Sequence, residues 1–239
     1  MAAMFFDDHP EFLETSTTAN QLDRLNLRHV ALIEQNADVL KGRSVVDIAS
    51  HDGRWSFAAL EAGASHVIGI EGRRSLVLNA RETLRTKGVS PDRYRFVRGD
   101  VHQRIHRPEI VAEVVMCFGF LYHTARYVEL FSGIASTGAE YVLVDTRVIP
   151  GDRPIVEMHS EGTGNQALAI RDRYTLGKRN ISATPSEAAV LLMLDAAGYE
   201  LDQRTDWEAL LAEHPNAGAV TQYADGTRVS FRCRRKADA

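Results

Sequence analysis

Acidic side chains end or follow successive apolar runs of this 239-residue chain. Asp47 lies in the β-branched run at 44–48, and Glu71, Asp100 and Asp145 come at the ends of later runs. In an open α/β sheet, ligands bind beyond the carboxyl ends of the strands, where such side chains meet. A carboxylate there can accept the two hydroxyl groups of a ribose. The recurrence therefore predicts a nucleoside-binding edge.

A second group of reactive side chains ends the segment 118–123, Phe-Gly-Phe-Leu-Tyr-His. The imidazole of His123 can take a proton near neutral pH, and a positioned base assists an alcohol nucleophile. Tyr122 and Phe118 can present ring faces to a cation. His51 either lines the substrate side of a binding pocket at this edge or caps the helix that follows it. We predict His123, Tyr122 and His51 as catalytic candidates, with a backbone hydrogen bond as the alternative role of His123.

Oxygen and imidazole ligands near the fifth apolar run raise the question of a metal. Asp145, Asp152, Glu157 and His159 lie within fifteen residues of one another, and carboxylates suit Mg²⁺. Their spacing is not a recognised metal signature, and scattered acids are common in loops. Mg²⁺ is therefore a candidate cofactor, with Asp145, Glu157 and His159 as its candidate ligands.

The elements that must position these residues are visible as alternating patterns. A β-branched run is typical of a strand covered on both faces of a parallel sheet. Runs with this character alternate with helical patterns and are followed by a closing hairpin. They lie at 44–48, 67–70, 94–97, 111–118, 141–145, 199–203 and 229–232. The pattern predicts an α/β fold with a doubly wound sheet.

We expect a single domain over residues 1–239, since this length can bury one sizeable core. Residues 1–41 form an N-terminal helical cap, with one helix running from about 22 to 40. Residues 150–180 are rich in Gly, Asp and Arg and lack periodicity, which predicts a lid or substrate-binding insertion. Order returns with a helix capped by Thr184, with Pro185 at its first position.

The loop at 47–53 resembles the first motif of class I S-adenosylmethionine (SAM) methyltransferases, Asp/Glu-x-Gly-x-Gly-x-Gly. Aligned on Asp47, the chain has Ala49 and His51 at two glycine positions and keeps Gly53. The segment ending in Leu-Tyr-His is similar to one that follows the fourth strand in several methyltransferases, including a tRNA wobble-uridine modifying family. The resemblance covers about residues 40–203. It implies a Rossmann-like, seven-stranded sheet with an antiparallel last strand.

The resemblance also implies roles for single residues. Asp47 orders the loop and holds the amino-acid part of SAM, and Gly53 lets the backbone pass close to it. Glu71 takes the ribose hydroxyls. The remaining implied cofactor-binding residues are Ala49, Ser50, Asp100 and Val101 at the adenine, and Phe118. A methyl group is tolerable at position 49 if the local backbone angles are ordinary, and Asp100 can alternatively cap a helix.

The expected activity is methyl transfer to a hydroxyl of a small polar acceptor. Residues 5–12 and 24–29 are similar to actinobacterial methyltransferases, including the mycobacterial mannoside O-methyltransferases of methylmannose polysaccharide biosynthesis. That similarity implies a sugar or oligosaccharide acceptor. Two alternatives stay open: an RNA (tRNA) methyltransferase, and a SAM-binding protein without catalysis.

Composition narrows the partners. With 28 basic and 32 acidic residues the net charge is −4, which gives no overall basic field and makes nucleic acid an unexpected partner. No apolar run approaches the roughly 20 residues that cross a bilayer, and the N-terminus lacks the pattern of a signal peptide. We therefore expect a cytoplasmic enzyme that does not bind membranes. The oligomeric state stays open, a homodimer included.

Overall fold

The computed structural model describes residues 3–15, 22–163, 172–214 and 220–237. Within them, strands and helices alternate as the sequence predicts. The strands are β1 (Ser44–Ile48), β2 (His66–Glu71), β3 (Tyr94–Arg98), β4 (Val114–Phe118), β5 (Tyr141–Arg147), β6 (Val156–Gly162), β7 (Arg179–Pro185), β8 (Tyr199–Arg204) and β9 (Arg228–Arg235).

The helices connect and cover these strands. They are α1 (Glu11–Glu14), α2 (Leu22–Leu32), α3 (Ala37–Leu40), α4 (Arg54–Glu61), α5 (Arg74–Thr86), α6 (Val101–Arg104), α7 (Tyr127–Ser136), α8 (Glu187–Ala196), α9 (Trp207–Glu213) and α10 (Thr221–Ala224). Single 3-10 turns lie at Phe5–Asp8, Glu34–Asn36, Pro91–Arg93 and Leu121–His123. No helix among the described residues is long and apolar enough to cross a membrane.

Seven strands form one sheet in the order β3-β2-β1-β4-β5-β9-β8. Strands β1 to β5 pair in parallel, whereas β9 runs antiparallel to both β5 and β8. The strand order reverses between β1 and β4, so a crevice opens there at the carboxyl ends of the strands. This arrangement confirms the predicted Rossmann-like sheet with its antiparallel last strand.

Side chains of the central strands sort alternately onto two cores. Val45 packs with the N-terminal helices, α4 and α5, while Val46 and Ile48 pack with α6, α7 and α8 on the opposite face. All three side chains are at most 1% exposed. Burial of each such side chain stabilises the fold by about 1.5–3 kcal/mol. Because packed side chains cover both faces, the sheet is held in place. The edge that carries the polar side chains is therefore held in place as well.

Three local predictions are wrong in detail. The helix expected over 22–40 is interrupted by the turn at Glu34–Asn36. The fourth strand begins at Val114, and Val111 is 61% exposed. Helix α8 is capped by Ser186, whose hydroxyl accepts from the backbone N–H of Ala189 at 3.1 Å. Thr184 and Pro185 instead end β7, because pairing with β6 holds them extended.

The segment expected to be irregular contains a strand pair. Strands β6 and β7 form a separate antiparallel sheet from Val156↔Pro185 to Gly162↔Arg179. Strand β7 is fixed next to the 3-10 turn after β4, where Ala183 N–H donates to Thr124 O at 3.2 Å. Residues 164–171, the centre of the predicted lid, lie outside the described residues. A lid or insertion role stays a prediction.

Asp47 is the exception to apolar packing on β1. Its side chain faces the core of the N-terminal helices and is 1% exposed, and the Ser56 hydroxyl donates to one oxygen at 2.6 Å. Burial raises the pKa of Asp47 from 3.8 to about 7, against the lowering effect of that hydrogen bond. An ionised carboxylate at this position therefore opposes folding.

We predict that Asp47→Asn removes a pH-dependent part of the stability. Because the folded pKa lies above the unfolded one, the protonated carboxyl favours the folded state below about pH 4, and this is lost as pH rises through about 7. Urea denaturation of both proteins across that range should show wild type losing stability relative to the variant. A difference in unfolding free energy that stays constant with pH would contradict this explanation.

Candidate functional site

A cavity of about 590 Å³ opens at the carboxyl edge of the sheet. Its walls come from the ends of β1, β2, β3, β4 and β5, from α2, and from the β6–β7 pair. Most predicted site residues line it: Ala49, His51, Glu71, Asp100, Val101, Phe118, Tyr122 and His123. Asp47, Ser50 and Gly53 do not line it. The structure thus brings most of the predicted site residues to one cavity, and their functional roles stay predictions.

The loop after β1 has an unusual backbone. Ala49 and His51 both adopt φ of +54°, the left-handed conformation that the aligned glycines would favour. The condition stated for a methyl group at position 49, ordinary backbone angles, is therefore not met, and each such residue costs of order 1–2 kcal/mol. Hydrogen bonds to β2 offset this cost: Ser50 N–H donates to Ile70 O at 3.1 Å, and His51 N–H donates to Glu71 at 3.0 Å.

Glu71 holds this loop through its carboxylate. One carboxylate oxygen accepts from His51 N–H, and the other accepts from Arg73 N–H at 2.8 Å. The residue is 6% exposed and lines the cavity. Each oxygen keeps a lone pair, so a bidentate contact with two hydroxyl groups is available. The role of Glu71 at the ribose stays a prediction, and the free lone pairs permit it.

Gly53 serves packing, since a Cβ there would lie 3.0 Å from Ala80 Cβ and from the Phe96 ring, and its φ is +81°. The Ser50 side chain is buried and has no hydrogen-bond partner among the described residues. Asp47 itself does not line the cavity, whereas residues of the loop that follows it do. Direct cofactor contacts by the side chains of Asp47 and Ser50 do not fit this geometry.

Asp100 takes the helix-capping role that was its alternative. Its carboxylate accepts from His102 N–H at 3.0 Å and from Arg126 at 2.7 Å. Although burial alone would raise the pKa of Asp100, the hydrogen bonds from His102 and Arg126 lower it below its usual range. Arg126 also donates to Asp172, so the far wall of the cavity is a linked set of charges.

His123 points its Nδ1 at a carboxylate that sequence reasoning missed. Both Glu161 oxygens lie 3.0 Å from Nδ1, and the imidazole is 14% exposed. Because an ionised carboxylate only accepts, this contact puts a proton on Nδ1 and leaves Nε2 able to accept one. Burial favours a raised pKa for Glu161, but hydrogen bonds from His123 and Ser182 lower it below its ordinary value.

The other two catalytic candidates lie nearby in different settings. The Tyr122 ring is 4.3 Å from the His123 ring, centroid to centroid, and Arg228 donates to its hydroxyl at 3.4 Å. His51 lines the cavity with its Nδ1 3.4 Å from Arg54. Helix α4 is instead preceded by Gly53, without a side-chain cap. Of the two roles considered for His51, the structure shows the lining one.

Phe118 and Trp55 form an apolar wall. Their rings meet edge to face at 5.8 Å, and both line the cavity. The Arg28 guanidinium lies 5.0 Å from the Trp55 ring centroid. Trp55 therefore belongs to both the core and the pocket.

The proposed magnesium ligands do not converge. Asp145 is fully buried and ion-paired with Arg28 at 2.5 Å and Arg228 at 2.6 Å. Burial favours a raised pKa for Asp145, but the two guanidiniums hold it well below its usual range. Glu157 and His159 lie on the exposed strand β6. In the described parts of the chain, no three His, Cys, Asp or Glu side chains could hold a metal ion.

Comparisons with known proteins show similarity to methyltransferases. Residues 45–137 match the family model for a methyltransferase domain. Over 193 residues the chain is 28% identical to a tRNA U34 carboxymethyltransferase of Idiomarina loihiensis, covering 73% of this chain and 55% of that protein. The chain thus spans little more than half of that relative.

Solved structures share the fold. An S-adenosylmethionine dependent methyltransferase from Mesorhizobium loti aligns with a TM-score of 0.59 and 16% identity, covering 93% of this chain and 100% of that one. The N-terminal domain of EvdMO1, solved with S-adenosylhomocysteine (SAH), aligns with a TM-score of 0.62 and 14% identity, covering 92% and 85%. At these identities the likeness shows the fold alone. Residues 45–137 are thus similar in sequence to methyltransferase domains, and the chain shares the fold of solved SAM-dependent methyltransferases.

Proposed function

We propose that this chain transfers the methyl group of SAM to a hydroxyl group of a small polar acceptor. The observation that supports this most is the contact of His123 with Glu161 at the cavity wall. A carboxylate behind an imidazole fixes its tautomer and stabilises the imidazolium that forms when it takes a proton. An alcohol needs such a base more than an amine does.

The residues then act in a defined order. SAM supplies an activated methyl group on a sulfonium centre. Glu71 holds the ribose, and the acceptor hydroxyl lies against His123 Nε2. Bound SAM would supply its methyl group to the acceptor oxygen, and its sulfur would keep the electron pair of the broken carbon–sulfur bond, leaving SAH. The hydroxyl proton goes to Nε2. In-line positioning of the two reacting atoms supplies a large part of the rate.

A second candidate function is modification of tRNA. The similarity to a tRNA U34 carboxymethyltransferase favours it, as does the Leu-Tyr-His segment. Because of that similarity, the comparisons do not support our expectation that nucleic acid is an unlikely partner. The two functions differ in a simple measurement. RNA affinity falls steeply with salt concentration because many bound counterions are released, whereas the affinity of a small acceptor, which neutralises few charges, falls much less.

We predict that His123→Ala lowers the methyl-transfer rate by about 10²–10⁴-fold. A panel of hydroxylated acceptors with radiolabelled SAM would identify a substrate and give this rate. SAH affinity should stay near wild type, because His123 faces the acceptor. Glu161→Gln should lower the rate less than His123→Ala, because it leaves the imidazole in place. A His123→Ala enzyme with most of its activity would exclude His123 as the base.

We predict that Glu71→Ala weakens SAH binding at least tenfold. The change removes a charged acceptor for the ribose hydroxyls, worth about 1.5–3 kcal/mol, and also frees the backbone N–H of His51. Calorimetry on the folded variant gives the dissociation constant. Glu82→Ala is a matched control, because Glu82 lies on α5 with its side chain 61% exposed. Equal affinities for all three proteins would remove Glu71 from the cofactor site.

A further inference from the structure

Four arginines meet at the end of the cavity beyond β4. Arg24 and Arg28 lie one turn apart on α2, Arg147 ends β5, and Arg228 begins β9 opposite Arg147 in the antiparallel register. All four line the cavity. We call these four residues the arginine cluster. Three separate elements therefore direct guanidinium groups toward one space.

The charge of the arginine cluster is not balanced by its own surroundings. Asp145 pairs with Arg28 and Arg228, but Arg24 and Arg147 form no salt bridge with any described residue. Four guanidiniums against one carboxylate leave an excess of three positive charges. Mutual repulsion of this kind is costly at a partly buried site. Burial and the charges of Arg28 and Arg228 lower the pKa of Arg24, which shows the same crowding.

Arg28, which lines the cavity, has a buried donor without a partner among the described residues. Its side chain is 9% exposed, and its Nε has no hydrogen-bond partner among the described residues. A buried donor without a partner costs about 1–3 kcal/mol. Its Nη2 is held by Asp145, and Trp55 covers the guanidinium. The side chain is thus fixed in place with one donor still to be satisfied.

The position of the arginine cluster separates it from the ribose site. Glu71 ends β2 and Arg147 ends β5, three strand intervals away in the sheet, which is about 14 Å. The other cavity acids lie on the β2–β3 side, where Asp100 and Asp172 share Arg126. Tyr122 joins the cluster to the proposed base, since it contacts both Arg228 and the His123 ring.

We propose that the arginine cluster, with the Tyr122 hydroxyl, binds an anionic group of the methyl acceptor. Planar carboxylates and phosphate monoesters both match paired guanidinium donors. The acceptor is then a small molecule with a hydroxyl group and an acidic group, the acid held by the arginines and the hydroxyl presented to His123. This inference rests on the proposed methyl transfer and names the substrate class of that site.

The test measures anion binding without turnover. Protein saturated with SAH, so that the cofactor's own carboxylate has its site filled, is titrated with inorganic phosphate and separately with benzoate at constant ionic strength. Tryptophan fluorescence reports binding, because Trp55 packs against Arg28 and Trp207 stacks on Tyr223, which donates to Asp145. We expect saturable binding of at least one anion, and the stronger of the two identifies phosphate or carboxylate as the acceptor's group.

Arg147→Gln is the informative variant, because Arg147 is exposed and holds no carboxylate among the described residues. Loss of a charged hydrogen bond should weaken anion binding roughly tenfold or more. Arg107→Gln removes an equal charge from an exposed position that does not line the cavity and should leave binding unchanged. Arg228 is unsuitable, because its loss would leave Asp145 buried without its partner.

The outcomes separate the two proposals. Absence of saturable binding of either anion to SAH-loaded protein, or equal weakening by both substitutions, would overturn the anion site. So would an Arg147→Gln protein whose affinity for SAH falls while SAH-loaded protein ignores both anions, since the cluster would then serve the cofactor. If SAH itself fails to bind wild type, the proposed function falls instead. If SAH-loaded protein binds RNA but neither small anion, the anion site is overturned and the arginine cluster belongs to the tRNA alternative.

Discussion

One buried carboxylate holds together the elements at the end of the cavity beyond β4. Asp145 accepts from Arg28 on α2, from Arg228 and Ser230 on β9, and from Tyr223 on α10. An ion pair this deep in the protein repays its desolvation only with full hydrogen bonding, and Asp145 has it. The same contacts fasten the N-terminal cap and the antiparallel strand to the sheet. Without them the arginines would have neither their positions nor a shared direction.

The loop after β1 depends on a second carboxylate, which binds backbone N–H groups and not arginines. Glu71 binds two backbone N–H groups and thereby holds a loop with two non-glycine residues at positive φ. A loop in this conformation normally favours glycine. The loop therefore keeps the backbone conformation that the glycines of the first motif would favour, although two of those glycines are absent. Hydrogen bonds with neighbouring strands, and not the conformational freedom of glycine, hold the loop in this conformation.

The centre of the sheet was predictable because β1, β2, β4 and β5 are buried on both faces and so read as apolar runs; β1 matches its predicted limits. The acids at strand ends were predictable because a polar residue interrupts each run at one edge. Glu161 and the arginine cluster were not. Glu161 comes from an exposed strand pair with no apolar signal, and the arginines are separated by up to 204 positions in sequence. Residue type alone was misleading at Asp145. Its position at the end of a strand was predicted correctly, but its carboxylate pairs with arginines and not with a metal ion.

The central claim is that one cavity brings a SAM methyl group, His123 and the arginine cluster into line. The most direct measurement is a crystal structure of the SAH complex. We predict that the ribose hydroxyls contact Glu71 and that the sulfur faces the space bounded by His123 and Tyr122, with the arginine cluster free of the homocysteine carboxylate. A complex in which that carboxylate occupies the arginine cluster, or in which the sulfur faces away from His123, would contradict the account.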